Sequence, residues 1–404
     1  MAVVLQLYSL SLISSLSGME ILSGILTLGW LVDCVRRKRW VLPLWKPIGC
    51  FCVVVALGIF LGNASSVEKW RDLSRLRFFL FFWASAHFLK TLSIRRWLIP
   101  LAVGCLVICL YGTLQHFFPI DWVRSEGHKV ILFSDGKGAG PLVLGLFNHH
   151  LTFSNVFLLY APLFLSYGFF RFPKNTLFWA LGLWLALLVL WTYSRSAWVA
   201  VPVTVLVVAV GKSWHWRAPL IGLLCTLVVL LVFYATNADV RERFGHTFQM
   251  DHASQSLSPR LKLWRANWEM FKESPLIGVG WNNNERHAKA VVDKLFPEGD
   301  NFYGHAHSTP LQILVTTGLL GALAFGWVWA GVLAELGRHL GVSSLNREER
   351  WVALGIWSGL VGFWVQGVTQ WNFGDAEVLH SILFLWGVTF ALTGGKNAKG
   401  HQTT

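Results

Sequence analysis

Long apolar runs broken by short basic or turn-forming links set the pattern of this chain. A helix needs about 20 apolar residues to cross a bilayer, and on that measure about twelve segments qualify. They are 2–16, 18–35, 46–62, 75–93, 96–118, 148–170, 176–194, 196–211, 218–236, 308–336, 351–370 and 378–394. The first two are the weakest, parted only by Ser17–Gly18. Basic links mark the cytoplasmic side. RRKR (36–39), SIRR (93–96), RFPK (171–174), KSWHWR (212–217), residues 337–350 and the tail with Lys396 and Lys399 share that side, which puts both termini in the cytoplasm.

The opposite side receives 63–74, 119–147, the loop 237–306, and tight turns near Ser194–Arg195 and at WNFGDAE (371–377). The loop is 70 residues long, far beyond an ordinary connection, and such loops are functional or disordered. Its aromatic residues argue for order, and its nine Lys/Arg balance nine Asp/Glu. The expected architecture is an all-α polytopic membrane domain over 1–404 with one small external helical subdomain at 237–306.

Composition agrees. Charged residues are 14% of the chain, against about a quarter in soluble domains. The 23 tryptophans suit a chain with many membrane interfaces to anchor. A net charge of +13 does not point to nucleic acid, because no long basic tail or basic domain stands outside the apolar segments. The six cysteines lie in or beside apolar stretches, which argues against disulfides and thiol-ligated metal. No Lys or Arg precedes Arg36, so a cleavable signal peptide is not expected.

The informative charges break the orientation rule. Arg71, Arg75 and Arg77 crowd the outer mouth of the fourth span, Arg195 sits in the turn of WTYSRSAWVA, and Arg260 opens SPRLKLWRANWEMF in the loop. An arginine at a span edge is costly unless it is paired or snorkels. Its planar fork matches phosphate oxygens. A membrane-embedded diphosphate is the natural anion, although interfacial anchoring also accounts for Arg75 and Arg77. Around Arg260, Ser258 suits an N-cap and Pro259 the first helical position, and Leu261, Trp264, Trp268 and Phe271 recur at helical spacing. An amphipathic helix with an aromatic face, lying on the membrane surface, is expected there.

In HAHSTPL, Ser308 or Thr309 can cap the tenth span, placing His307 just before a helix N-terminus. The positive end of the helix disfavours imidazolium, leaving a neutral ring able to accept or donate a proton. Capping alone is the plainer alternative. His305 and His307 with His149 and His150 of FNHHLTF raise the question of metal, but no carboxylate pair or Asp-x-Asp accompanies them, so metal is not expected. Asp375 and Glu377 are the outward carboxylates beyond the loop and first segments, each a base candidate or a turn residue.

The order YSRSAW, then SPRLKLW…SPLIGVGWN, then HAHSTPLQILVTTGLLG resembles the O-antigen ligase/polymerase superfamily over roughly 190–380. The resemblance implies a GT-C-like, inverting, metal-independent glycosyltransferase with no cofactor. It would move a polysaccharide from undecaprenyl diphosphate to the lipid A-core on the periplasmic face of the bacterial inner membrane. It implies functional roles for Arg195, Arg260 and His307, with Asp375 as rival base. Arg71, Arg77, His305, His149, Trp264 and Arg265 are candidates for holding the diphosphate or the glycan. The family commonly has Asn where Ser308 stands, which removes an amide from that position. A single dominant loop looks more like a ligase than a polymerase. The alternatives are an O-antigen polymerase, a protein O-oligosaccharyltransferase and, in a different class, a lipid-linked glycan transporter, whose site would lie nearer the bilayer midplane.

Overall fold

The computed structural model describes residues 1–62, 65–118, 121–123, 142–170, 174–212, 234–235, 259–297, 303–341 and 346–397. Among these residues the protein is all-helical, with fourteen α-helices and no strand. They are α1 (Ala2–Ser11), α2 (Leu16–Arg37), α3 (Trp45–Leu61), α4 (Ser66–Ser74), α5 (Phe78–Leu89), α6 (Ile94–Phe117), α7 (His150–Phe170), α8 (Thr176–Leu190) and α9 (Arg195–Lys212). They continue as α10 (Pro259–Glu273), α11 (Asn283–Leu295), α12 (Thr309–Gly341), α13 (Arg347–Gly367) and α14 (Ala376–Asn397).

Four helices, α2, α6, α7 and α12, are long and apolar enough to cross a membrane by length and composition. Shorter apolar helices coincide with the expected spans at 2–16, 46–62, 176–194, 196–211 and 378–394. The expected span 75–93 is instead a 3-10 turn, Arg75–Arg77, followed by the twelve-residue α5. The expected span 218–236 lies almost wholly outside the described residues, as does Ser258.

Helix α7 is apolar on every face and buried on nearly every face, which makes it the centre of the bundle. It packs on α13 and α8, and α13 also covers α9. The α7–α13 approach depends on Gly355 and Gly359, one turn apart in GIWSG. A Cβ on either would stand 2.6 Å from Leu163 Cα or the Leu159 carbonyl. Helix α5 packs on α14, and α3 on α12.

Helix α12 corrects the expectation of a continuous tenth span. Gly318 has φ 64° and ψ −170°, splitting the helix into a short N-terminal part and a long C-terminal part. The broken backbone is repaired by residues 275–280. Val279 and Gly280 N–H donate to the Val315 and Thr316 carbonyls (2.9 and 3.1 Å), while Leu319 and Leu320 N–H donate to the Pro275 and Leu276 carbonyls (2.8 and 3.1 Å). A lipid environment tolerates a broken helix only when the freed groups find such partners. The crossing needs both glycines: a Cβ on Gly278 (φ 71°) would stand 2.5 Å from the Thr316 carbonyl carbon, and one on Gly318 would overlap the Leu276 carbonyl.

The described part of the loop 237–306 is a helical hairpin. Leu263 and Ala266 of α10 pack on Val292 of α11, and Met270 and Phe271 on Val315 of α12. The opposite face of α10 exposes Leu261 and Trp268, whereas Phe271, read with them as one lipid-facing stripe, is buried against Val315, so only part of that aromatic face is open. Helix α4 ties the hairpin to the bundle: the Arg286 guanidinium of α11 bonds buried Asp72 at 2.7 Å and Glu68 at 3.1 Å, and the Asn282 amide donates to Asp72 at 2.9 Å.

Candidate functional site

Five segments meet at one end of the bundle: the α8–α9 turn, the start of α7, the start of α10, the loop 303–308 leading into α12, and the turn between α13 and α14. The α8–α9 turn is tight. Tyr193 takes a left-handed φ of 53°, the Thr192 hydroxyl donates to the Val189 carbonyl (2.7 Å), and the Trp198 indole donates to the Leu190 carbonyl (3.1 Å). Arg195 emerges as the first residue of α9 and is exposed.

Arg260, in the first turn of α10, faces Arg195. Burial lowers its pKa and the nearby Arg195 guanidinium lowers it further, although the side chain keeps open surface. Two guanidinium groups from different elements thus share one neighbourhood.

The loop before α12 is pinned by amides. Gln312 accepts the Ala306 N–H (2.8 Å) and pairs reciprocally with Asn284, which also donates to Asn267 (2.7 Å). All three amide residues are buried, so α10, α11 and α12 are joined beneath the histidines. His307 has φ 46°, strained for a residue with a side chain. Its N–H donates to His305 Nδ1 (3.1 Å), which fixes that nitrogen as the acceptor. The two rings are 4.1 Å apart.

Both histidines are pushed down to about 4. Burial is the first cause for each; His307 adds to it at His305, and Arg260 and then His149 add to it at His307. The rings are neutral at pH 7, as expected, but the dominant cause is burial beside positive charge, where the sequence suggested the helix terminus. Ser308 precedes α12 with its hydroxyl only loosely placed on the Leu311 N–H (3.5 Å), whereas Thr309 is turned inward.

His149 stacks on His150 (4.4 Å) at the start of α7, and burial lowers its pKa. Asp375 accepts the Thr152 hydroxyl at 2.9 Å. Burial raises its carboxyl to about 6; Thr152 and Arg75 oppose the rise and Glu377 adds to it. Arg75 also pulls against the raised pKa of Glu285 on α11, where burial again leads.

Of the residues singled out in the sequence, Arg195, Arg260, His307, His305 and His149 are therefore brought together. Arg75, not Arg71 or Arg77, is the outer-mouth arginine that acts on Asp375. Arg77 pairs with Glu20 (2.8 Å) and lies over Phe78, and Arg71 lies 3.9 Å from Asp72. Arg265 and Lys262 both sit over the Phe296 ring, and the buried Trp264 indole N–H finds no acceptor among the described residues. Among the described residues no three His, Cys, Asp or Glu converge as metal ligands.

Sequence reading missed Gln370, Asn372, Gln312 and Asn284, which form the floor under these groups. Isolated amides near span ends carry no spacing signal.

Residues 180–326 match a family model described as O-Antigen ligase. Over that segment, less than half of the chain, the protein is similar to the O-antigen ligase superfamily. The matched segment contains Arg195, Arg260 and His307 and ends before Gln370 and Asp375. The family implies O-antigen ligase- or polymerase-type activity on lipid-linked glycans, in a multi-pass membrane protein. No curated protein matches the chain.

Proposed function

We propose that this protein transfers O-antigen polysaccharide from undecaprenyl diphosphate to a sugar hydroxyl of the lipid A-core, on the periplasmic side of the inner membrane and without a metal ion. The carrying observation is the proximity of Arg195 and Arg260, guanidiniums from two different elements close enough for one charge to act on the other. A departing diphosphate is an anion, and positioned cations stabilise its growing charge.

In the reaction, the acceptor oxygen forms a bond to the anomeric carbon from the face opposite the leaving group. The bond from that carbon to the phosphate oxygen breaks, and its electron pair leaves with the diphosphate. The configuration inverts. The acceptor proton passes to a base. His307, neutral but held to about 4 in part by Arg260, becomes more basic once the diphosphate offsets that charge. Asp375, at about 6, already has a pKa suited to neutral pH, which makes it the rival base. Polymerisation onto a second lipid-linked glycan uses the same chemistry, and transfer to protein hydroxyls differs only in acceptor. Reconstitution with a lipid-diphosphate glycan and either core lipopolysaccharide, a second lipid-linked glycan or a peptide tests the reading. Transfer to the core supports it, and transfer only to another acceptor overturns it.

A further inference from the structure

The arginine of the SRS triplet is flanked by two serines, and both point to one buried amide. Gln370 Nε2 donates to Ser194 Oγ at 2.8 Å and to Ser196 Oγ at 2.6 Å. Its Oε1 accepts from the Asn155 amide (3.3 Å) and the Gln366 amide (3.5 Å). Its main-chain carbonyl faces the Thr309 hydroxyl at 2.9 Å, two residues after His307. Thr309 also meets Asn372 Oδ1 at 2.6 Å, and Asn372 is anchored to the Phe363 carbonyl (2.9 Å). Gln370 is 4% exposed, and Thr309 and Asn372 are fully buried. One residue therefore touches the turn that carries Arg195, the first turns of α7, and the start of the helix that follows His307.

The donor count adds a second point. Both serine oxygens accept from the Gln370 amide, and the two hydroxyls lie 3.0 Å apart, a distance at which one donates to the other. That spends one of the two hydroxyl protons. No acceptor among the described residues takes the second, which stands beside Arg195. A hydroxyl donor next to a guanidinium is a suitable partner for an anionic oxygen.

We propose that Gln370 is a positioning residue: its amide clamps Ser194 and Ser196, aims the Arg195 guanidinium, and leaves one serine hydroxyl as an additional donor to the diphosphate. This rests on reading Arg195 as a diphosphate ligand. Gln370 touches no substrate itself. It acts through the triplet, and through Thr309 it keeps the arginine in register with His307. A clamp made of neutral amide and hydroxyl groups serves this better than a carboxylate. A carboxylate would take both serine protons and compete with the substrate for Arg195.

The test is the affinity of the nanodisc-embedded protein for inorganic pyrophosphate in EDTA, measured for wild type, Gln370→Ala, Arg195→Ala and the double variant. Gln370→Ala is expected to weaken binding by about ten- to a hundredfold, the range for a lost hydrogen bond to a charged group. The double variant is expected to lose less than the product of the two single losses, because part of what Gln370 contributes acts through Arg195. Wild-type affinity in Gln370→Ala, or losses that add in the double variant, would overturn the clamp while leaving the diphosphate reading intact. Wild-type affinity in Arg195→Ala would overturn both. If Gln370→Ala does not fold, Ser196→Ala and Ser196→Thr carry the test. Threonine keeps the hydroxyl and should restore what alanine loses, and equal affinities would reject the proposal.

Discussion

Asp375→Asn separates stability from function at one residue. The carboxyl accepts the Thr152 hydroxyl, and an asparagine oxygen can accept it equally well. Burial raises the pKa from 3.8 to about 6. The charged form is thus disfavoured in the folded protein by about 2 units, which is about 3 kcal/mol at 1.36 kcal/mol per unit and nearer 2 after allowance for partial exposure. The sign follows from linkage. With the folded pKa above the unfolded value, the protonated acid is favoured by folding; the contribution is complete below about pH 4 and disappears as pH rises through about 6. Above that, wild type carries a costly anion that the neutral amide avoids. Asp375→Asn should therefore unfold at a higher temperature than wild type at pH 7.5, with the difference closing at pH 4. If Asp375 is the base, turnover falls by about 10²- to 10⁴-fold in the same protein, and the acid limb of the wild-type rate profile near pH 6 goes with it. Thermal unfolding in nanodiscs at both pH values, paired with a transfer assay, makes the comparison. A variant no more stable than wild type at pH 7.5 would refute the desolvation argument.

Gly318→Ala should abolish folded protein, since it forces a side chain into a glycine-only backbone region, at about 1–3 kcal/mol, and drives its Cβ into the Leu276 carbonyl; monodisperse yield on size-exclusion chromatography reads this out. Arg286→Ala strands Asp72, 1% exposed, beside Glu68, and should cost about 3–5 kcal/mol and open the α10–α11 hairpin to limited proteolysis. His307→Ala should abolish transfer while leaving the thermal midpoint near that of wild type, because its ring is only half-buried; a wild-type rate would remove the imidazole from the mechanism.

The helices were legible because hydropathy and charge are local properties. The loop helix read from Leu261, Trp264, Trp268 and Phe271 appears as Pro259–Glu273, although Phe271 packs inward on Val315, a contact with a distant helix that spacing does not show. Arg195, Arg260 and His307 could be singled out because a cation or imidazole at an apolar edge is conspicuous; that they share one neighbourhood could not be read from the chain. The break at Gly318 was not legible. LVTTGLLG reads as a continuous span, and only backbone groups some forty residues earlier make the broken form stable. The partner of Arg77 was equally hidden: Glu20 lies 57 residues away, and proximity along the chain gave Arg71, Arg75 and Arg77 the same weight. Gln370 stayed unread for the same reason, because its bonds reach back 174 and 176 residues to the serines.

The most direct measurement is the transfer rate from a lipid-diphosphate donor in the presence of EDTA, for wild type beside Arg195→Ala and Arg260→Ala. Retention of the wild-type rate, with a loss of at least about 10²-fold in each variant at unchanged thermal midpoint, is the predicted result. Abolition of the wild-type rate by the chelator, or near-normal turnover in either arginine variant, would contradict it.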